Sequence, residues 1–166
     1  MNRVRALVFA AGMFASGAAF ADFWDGMDAY NAGKFTEALS EFQPLADRGK
    51  AEAQLMVALL HHYGKGIPVN MAAANAWYRK SATGGNATAQ WSLGLAYAHA
   101  RGLPKDVVLA HFLYHLGKDG GDEDADYNYS DIAKKMTAEQ IAESETLYKL
   151  WKVGKPIPEA SQTGRK

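Results

Sequence analysis

The chain has 166 residues, none of them cysteine, and its 18 basic side chains are balanced by 18 acidic ones. The lack of cysteine excludes disulfides, thiolate metal sites, a cysteine nucleophile and the lipid-bearing cysteine of a bacterial lipoprotein. Bulk nucleic-acid binding needs concentrated positive charge, which an even balance does not supply, so no nucleic-acid partner is expected.

The first 21 residues read as a secretory signal peptide. Arg3 and Arg5 precede an apolar run from about Ala6 to Phe14, and Ala19-Phe20-Ala21 forms an A-x-A cleavage signal. The run is diluted by glycine and serine and falls short of the roughly 20 apolar residues that a spanning helix needs. Cleavage after Ala21 would start the mature chain at Asp22, remove two positive charges, and send the protein to the periplasm or beyond. No later stretch is apolar enough to span a bilayer.

An internal repeat organises the remainder. At an offset of 36 residues Gly66 meets Gly102, Ala53-Gln54 meets Ala89-Gln90, Pro68 meets Pro104, Ala74 meets Ala110 and Tyr78 meets Tyr114. Gly84-Gly85 likewise meets Gly120-Gly121. In chain order, residues 22–50 read as a degenerate first unit whose second helix is Phe35 to Asp47, with Ala38, Phe42 and Ala46 in register with Ala74, Tyr78 and Ala82. Residues 51–86 form a full unit, with helices over about Ala51–Tyr63 and Asn70–Thr83. Between them YGKGIPVN is a turn: Gly66 is expected to leave the helix in a left-handed conformation, Ile67-Pro68 to run extended, and Asn70 to cap the next helix. A phosphate loop would need G-x-x-x-x-G-K-[ST] after a strand. Residues 87–121 repeat the pattern, with helices over about Ala87–Ala100 and Asp106–Lys118 and Asp106 as the cap.

Residues 122–153 read as a capping unit. Asp122–Lys135 is a third first-helix, with Ala125 in the place of Ala89. Thr137-x-x-Gln140 is a capping box that opens a closing helix to about Val153, stopped by Gly154. Residues 154–166, with Pro156 and Pro158, read as a flexible tail. The fold class is therefore all-α, a solenoid of helix–turn–helix repeats with atypical ends.

The A-Q-x-x-L-G-x-x-Y of Ala89–Tyr97, the Gly102, Pro104 and Asp106 that follow, and the A-x-x-W-Y of Ala74–Tyr78 together resemble the Sel1-like repeat family. His61 and Leu113 depart from the tyrosine and tryptophan usual there. The resemblance covers about Phe23 to Trp151. It implies a right-handed α/α superhelix related to tetratricopeptide arrays, and an adaptor role toward an unidentified protein partner, with no cofactor. Some cysteine-rich secreted relatives resemble β-lactamases in activity. That implies an alternative, a hydrolase acting on cell-wall or β-lactam substrates, which the absence of those cysteines disfavours.

Chemistry-bearing residues are sparse. His111 and His115 stand four apart, a spacing that can bind zinc from one face, yet no H-E-x-x-H and no third ligand is near. Their counterparts Asn75 and Arg79 suggest that both histidines face solvent. Asp122-x-Asp124-x-Asp126 resembles the start of a calcium loop, but Tyr127 and Ala133 occupy the glycine and glutamate positions. An acidic helix N-terminus explains it better. No G-x-S-x-G elbow appears. The candidate partner-binding residues are Leu55, Leu59, Trp91, Leu95 and Tyr127. Leu55, Trp91 and Tyr127 align at the repeat offset, and Leu59 and Leu95 form a second column one turn on, on the first helices that line the concave face of such arrays. They read equally as a groove for a partner segment or as inter-helix packing.

Overall fold

The computed structural model describes residues 14–160, with side chains from residue 23 onward. The expected signal peptide, residues 1–21, lies outside the described side chains and, for residues 1–13, outside the described backbone. Eight helices and no strand are formed among the described residues: α1 (Phe14–Asn31), α2 (Phe35–Asp47), α3 (Ala51–Tyr63), α4 (Met71–Thr83), α5 (Ala87–Ala98), α6 (Val107–Asp119), α7 (Glu123–Ala133) and α8 (Ala138–Leu150). None of the described helices is long and apolar enough to cross a membrane.

Local chemistry starts the helices where the sequence indicates. The Asn70 side chain accepts the Ala73 N–H at 3.0 Å, and Asp106 accepts those of Val108 and Leu109. Asn86 and Asp122 do the same for Ala89 and Ala125. Thr137 and Gln140 form the reciprocal capping box. Each cap satisfies backbone N–H groups that the helix itself leaves without acceptors.

Helices pack mainly on their neighbours in sequence, α1 on α2, α2 on α3 and so on to α6 on α7. The joints recur at the repeat offset. Gln54 donates to the Ala46 carbonyl and Gln90 to that of Ala82. The Asn70 N–H reaches His61 O, and the Asp106 N–H reaches Tyr97 O. A Cβ placed on Gly84 would stand 3.0 Å from Ala51 Cβ, and one on Gly120 would stand 2.6 Å from Ala87 Cβ. Small residues thus let the end of each unit close on the start of the same unit's first helix. Two apolar clusters result. Phe42, Leu45, Val57 and Leu60 centre the first, and Tyr78, Leu93, Tyr97, Leu109, Phe112 and Leu113 centre the second. Leu59 and Trp77 flank both and join them.

The turn of residues 63–70 differs from expectation in one detail. Gly64, not Gly66, is the left-handed residue that ends α3, with φ of 65°. Gly66 is also left-handed, at 73°, but its added constraint is closeness: a Cβ there would stand 2.8 Å from Thr36 N. Its counterpart Gly102 abuts Met71 in the same way. In the second unit the position of Gly64 is taken by Ala100, held at φ of 54°. Alanine resists that conformation by about 1–2 kcal/mol, which glycine avoids at a smaller entropic cost. Ala100→Gly is therefore expected to stabilise the protein by up to about 1 kcal/mol in urea unfolding. Destabilisation would show that the turn tolerates alanine without strain.

The C-terminal region breaks the pattern. Helix α8 does not form a hairpin with α7; it packs on α6, beside α7. It ends at Leu150, short of the expected Val153, and Trp151 turns its indole N–H to Lys155 O at 2.9 Å. The chain then crosses back to α4, where the Gly154 N–H donates to Thr83 O at 2.8 Å. Ile157 is only 2% exposed, and its carbonyl accepts from Arg79. The expectation of a flexible tail is corrected for residues 154–160: one isoleucine among prolines and lysines seats the segment. Residues 161–166 of that expected tail lie outside the described residues.

Candidate functional site

The partner-binding candidates lie on three successive first helices. Leu55 and Leu59 sit on α3, Trp91 and Leu95 on α5, and Tyr127 on α7. The four residues on α3 and α5 are half-buried and pack against the main core. Tyr127 stands free at 72% exposure. Trp91 bridges two helices, its indole N–H donating to Asn128 Oδ1 at 2.8 Å. Packing and partial exposure therefore coexist at these positions. In the second column, Asp131 replaces leucine and pairs with Lys135 at 2.7 Å and Lys134 at 3.8 Å. The hydrogen bond and charge of Lys135 hold its carboxyl below the usual range. These positions thus pass from leucines on α3, through Trp91 and Leu95 on α5, to Tyr127 and the charged Asp131 on α7.

His111 and His115 are not solvent-facing, contrary to expectation. His111 is 1% exposed. Its Nδ1 shares a hydrogen bond of 2.7 Å with Ser144 Oγ on α8, and its ring stacks on Tyr129 at 4.3 Å between centroids. His115 stacks on Tyr148 at 3.7 Å and lies 4.7 Å from the Tyr129 ring. Its Nδ1 stands 3.2 Å from Glu145 Oε1, out of line for a hydrogen bond. Tyr129 donates to the same carboxylate at 3.1 Å, and Tyr148 donates to Asp119. The cluster bolts α8 onto α6 and α7. Polar residues at these positions face the next part of the stack, not water: the counterpart Asn75 donates to Arg101 O, and Arg79 holds the tail.

Burial is the main reason that the His111 pKa falls to about 4; neighbouring His115 adds to the fall and Glu145 opposes it. Burial and the bond to Glu145 push the Tyr129 hydroxyl up to about 12. The two imidazoles do not converge on one point, since one is tied to Ser144 and the other leans on Glu145. Among the described residues no three His, Asp or Glu side chains are arranged to hold a metal. Ser144 is fully buried, so the Ser144–His111 pair presents no nucleophile to solvent. The acidic run after Gly121 is divided among separate tasks. Asp122 caps α7 and accepts from Thr88, and Asp126 pairs with Lys118.

Sequence reasoning missed Tyr129, Ser144, Glu145 and Tyr148. Ser144, Glu145 and Tyr148 lie on α8, which is out of register with the second helices of the full units, and Tyr129 on α7 answers at the repeat offset to the core residue Leu93, so self-comparison did not reveal them. The histidines themselves carried the only signal.

The stack is that of a Sel1-type repeat solenoid, and two of its units are Sel1 repeats. The Sel1 repeat family matches residues 51–86 and 87–122. Among solved structures, a protective antigen of uropathogenic Escherichia coli displaying an SLR fold superposes with a TM-score of 0.74 at 26% identity, over 80% of this chain. The chain spans only 29% of that antigen. A Sel1 repeat protein from Oxalobacter formigenes superposes with a TM-score of 0.63 at 28% identity, over 70% of this chain and 90% of its own length. No curated protein matches the sequence. Sel1 repeats are in general protein-interaction modules.

Proposed function

We propose that the protein is an exported adaptor that positions or sequesters another protein through the face formed by α3, α5 and α7, without chemistry of its own. The observation that carries this reading is the ring of Tyr127, 72% exposed, at the position on α7 that answers to the half-buried Trp91 on α5. Large aromatic rings with a polar handle give much contact area for little ordering cost, and they dominate binding energy at interfaces. The neighbouring Leu55, Leu59 and Leu95 extend this surface along the stack. The hydrolase alternative draws no support from the enclosed Ser144–His111 pair.

The test is affinity capture from envelope extracts with the full chain as expressed. Wild type is expected to retain a defined protein. A Trp91→Ala/Tyr127→Ala double variant of unchanged helicity is expected to lose at least nine-tenths of it, at about 1.4 kcal/mol per tenfold. Leu150→Ala, exposed on α8, serves as the control that retains it. Equal retention by all three proteins would sink the assignment of the face. Export requires that the chain recovered from the periplasmic fraction begin at Asp22; recovery with residues 1–21 attached would remove that part of the proposal.

A further inference from the structure

The C-terminal segment lies on α4 as a ligand lies in a receptor. The Arg79 guanidinium donates to two successive main-chain carbonyls, Ile157 O at 2.9 Å and Pro158 O at 3.1 Å. It also donates to the Tyr97 hydroxyl and stands 4.0 Å from Glu159 Oε1. Ile157 is inserted to 2% exposure, and the prolines on either side of it bias Lys155 and Ile157 toward extended backbone. This is the chemistry of peptide recognition: one apolar anchor, backbone carbonyls read by a fixed planar donor, and an acidic side chain beside the same cation.

Among the described residues, the segment does not fill its site. A cleft of about 530 Å³ remains beside it, lined by Ala72, Asn75, Arg79, Tyr97, Leu103 and Glu159. Asn75 is 3% exposed; its Nδ2 is committed to Arg101 O, while its Oδ1 is enclosed with no hydrogen-bond partner among the described residues. A buried acceptor left unmatched is uncommon in folded proteins, and it is answered when an N–H donor arrives.

We propose that this groove is a second recognition site, for an extended aliphatic–proline–acidic segment of a partner protein, and that residues 155–160 occupy it as a built-in competitor. The site shares no residue with the α3, α5 and α7 face. Isoleucine takes the buried pocket, Arg79 reads the two carbonyls, and a longer or better-fitting partner segment brings a backbone N–H to Asn75. Both occupants need Arg79, so the partner and the tail exclude each other, and the tail sets an affinity threshold.

The probe is a fluorescein-labelled peptide of sequence KPIPEA, residues 155–160, added to full-length protein. The full-length Ile157→Asp variant, whose own segment cannot seat, is expected to bind the peptide at least tenfold more tightly than wild type does. Adding Arg79→Ala to that variant is expected to weaken binding at least tenfold. Absence of peptide binding by a helical Ile157→Asp variant overturns the proposal, as does binding that ignores Arg79. If Ile157→Asp does not fold, wild type decides by hydrogen exchange. Excess unlabelled peptide should strip protection from residues 157–160 while α4 stays protected, and unchanged protection overturns the proposal. A concentration-dependent dimer of Ile157→Asp with wild type, formed without peptide, would make a second copy the occupant and overturn it equally.

Discussion

Phe112→Ala is expected to cost about 3–5 kcal/mol of folding free energy, with the melting temperature falling by on the order of 10 °C. Phe112 is fully buried on α6, the helix that touches α5, α7 and α8. Removing its ring leaves a cavity that three elements would have to collapse around. The effect should also spread. The ring meets Trp151 edge-on at 6.4 Å, and the Trp151 indole holds Lys155 at the start of the tail. Urea unfolding gives the free energy; hydrogen exchange at residues 154–160 shows the spread. Phe42→Ala, in the N-terminal cluster, should cost a similar amount and leave tail protection untouched. A Phe112→Ala loss below about 1 kcal/mol would mean that α6 is not the hub of the second core.

The second expected result concerns pH. Free histidine takes up its proton near pH 6.5, whereas folded His111 does so only near about 4. Between those values the unfolded chain holds the extra proton, so the contribution of His111 is complete above about pH 6.5 and declines as the pH falls toward 4. A loss of about 1–3 kcal/mol is expected across that window, with one pKa unit equal to about 1.4 kcal/mol. The cause is the enclosure of the ring by Tyr129 and α8. His111→Gln should flatten most of the slope in thermal melts taken from pH 7 to 4. His61 and His62, also held low by burial, should leave a shallow remainder. Asp131 and Glu139 contribute the same sign, but from starting values of 3.8 and 4.5, so Glu139 acts only at the acid end of the window and Asp131 mainly below it. An unchanged slope in His111→Gln would place the titration elsewhere.

Much of the fold was legible because its joints recur. Gly102 repeats the approach of Gly66 to the preceding unit, and Gly120 repeats that of Gly84 to its own first helix, so matched small residues at one offset marked real contacts. The caps Asn70, Asp106 and Asp122 were readable because their acceptors lie within three residues of the donors they serve. What escaped was long in range and unrepeated. Arg79 holds Ile157 and Pro158 across more than seventy residues of chain, and nothing local announces it. His111 was misplaced because a polar counterpart, Asn75, suggested water. In a stack, a polar residue at that position serves the backbone or side chains of whatever comes next. The candidate face was legible as an alignment of Leu55, Trp91 and Tyr127. The degree to which each would be covered depended on Asn128 and on the following helix, which the alignment does not contain.

The recurring joints have a consequence for how such a chain can change length. Each internal unit presents the same partners on its entering side and its leaving side. A duplicated 36-residue segment inserted between residues 86 and 87 would therefore find complementary surfaces both before and behind it. The ends have no such freedom. Helix α8 fits only an α6 that carries His111 and His115, and the tail fits only an α4 that carries Arg79, two helices earlier. A unit copied from residues 51–86 would bring its own Arg79 to the place two helices before α6, whereas one copied from residues 87–122 would set His115 there and leave the tail without its cation. The molecule has an interchangeable middle and a terminus that tests which unit stands just before its last full repeat, so its own C-terminal segment proofreads the order of the array rather than its length.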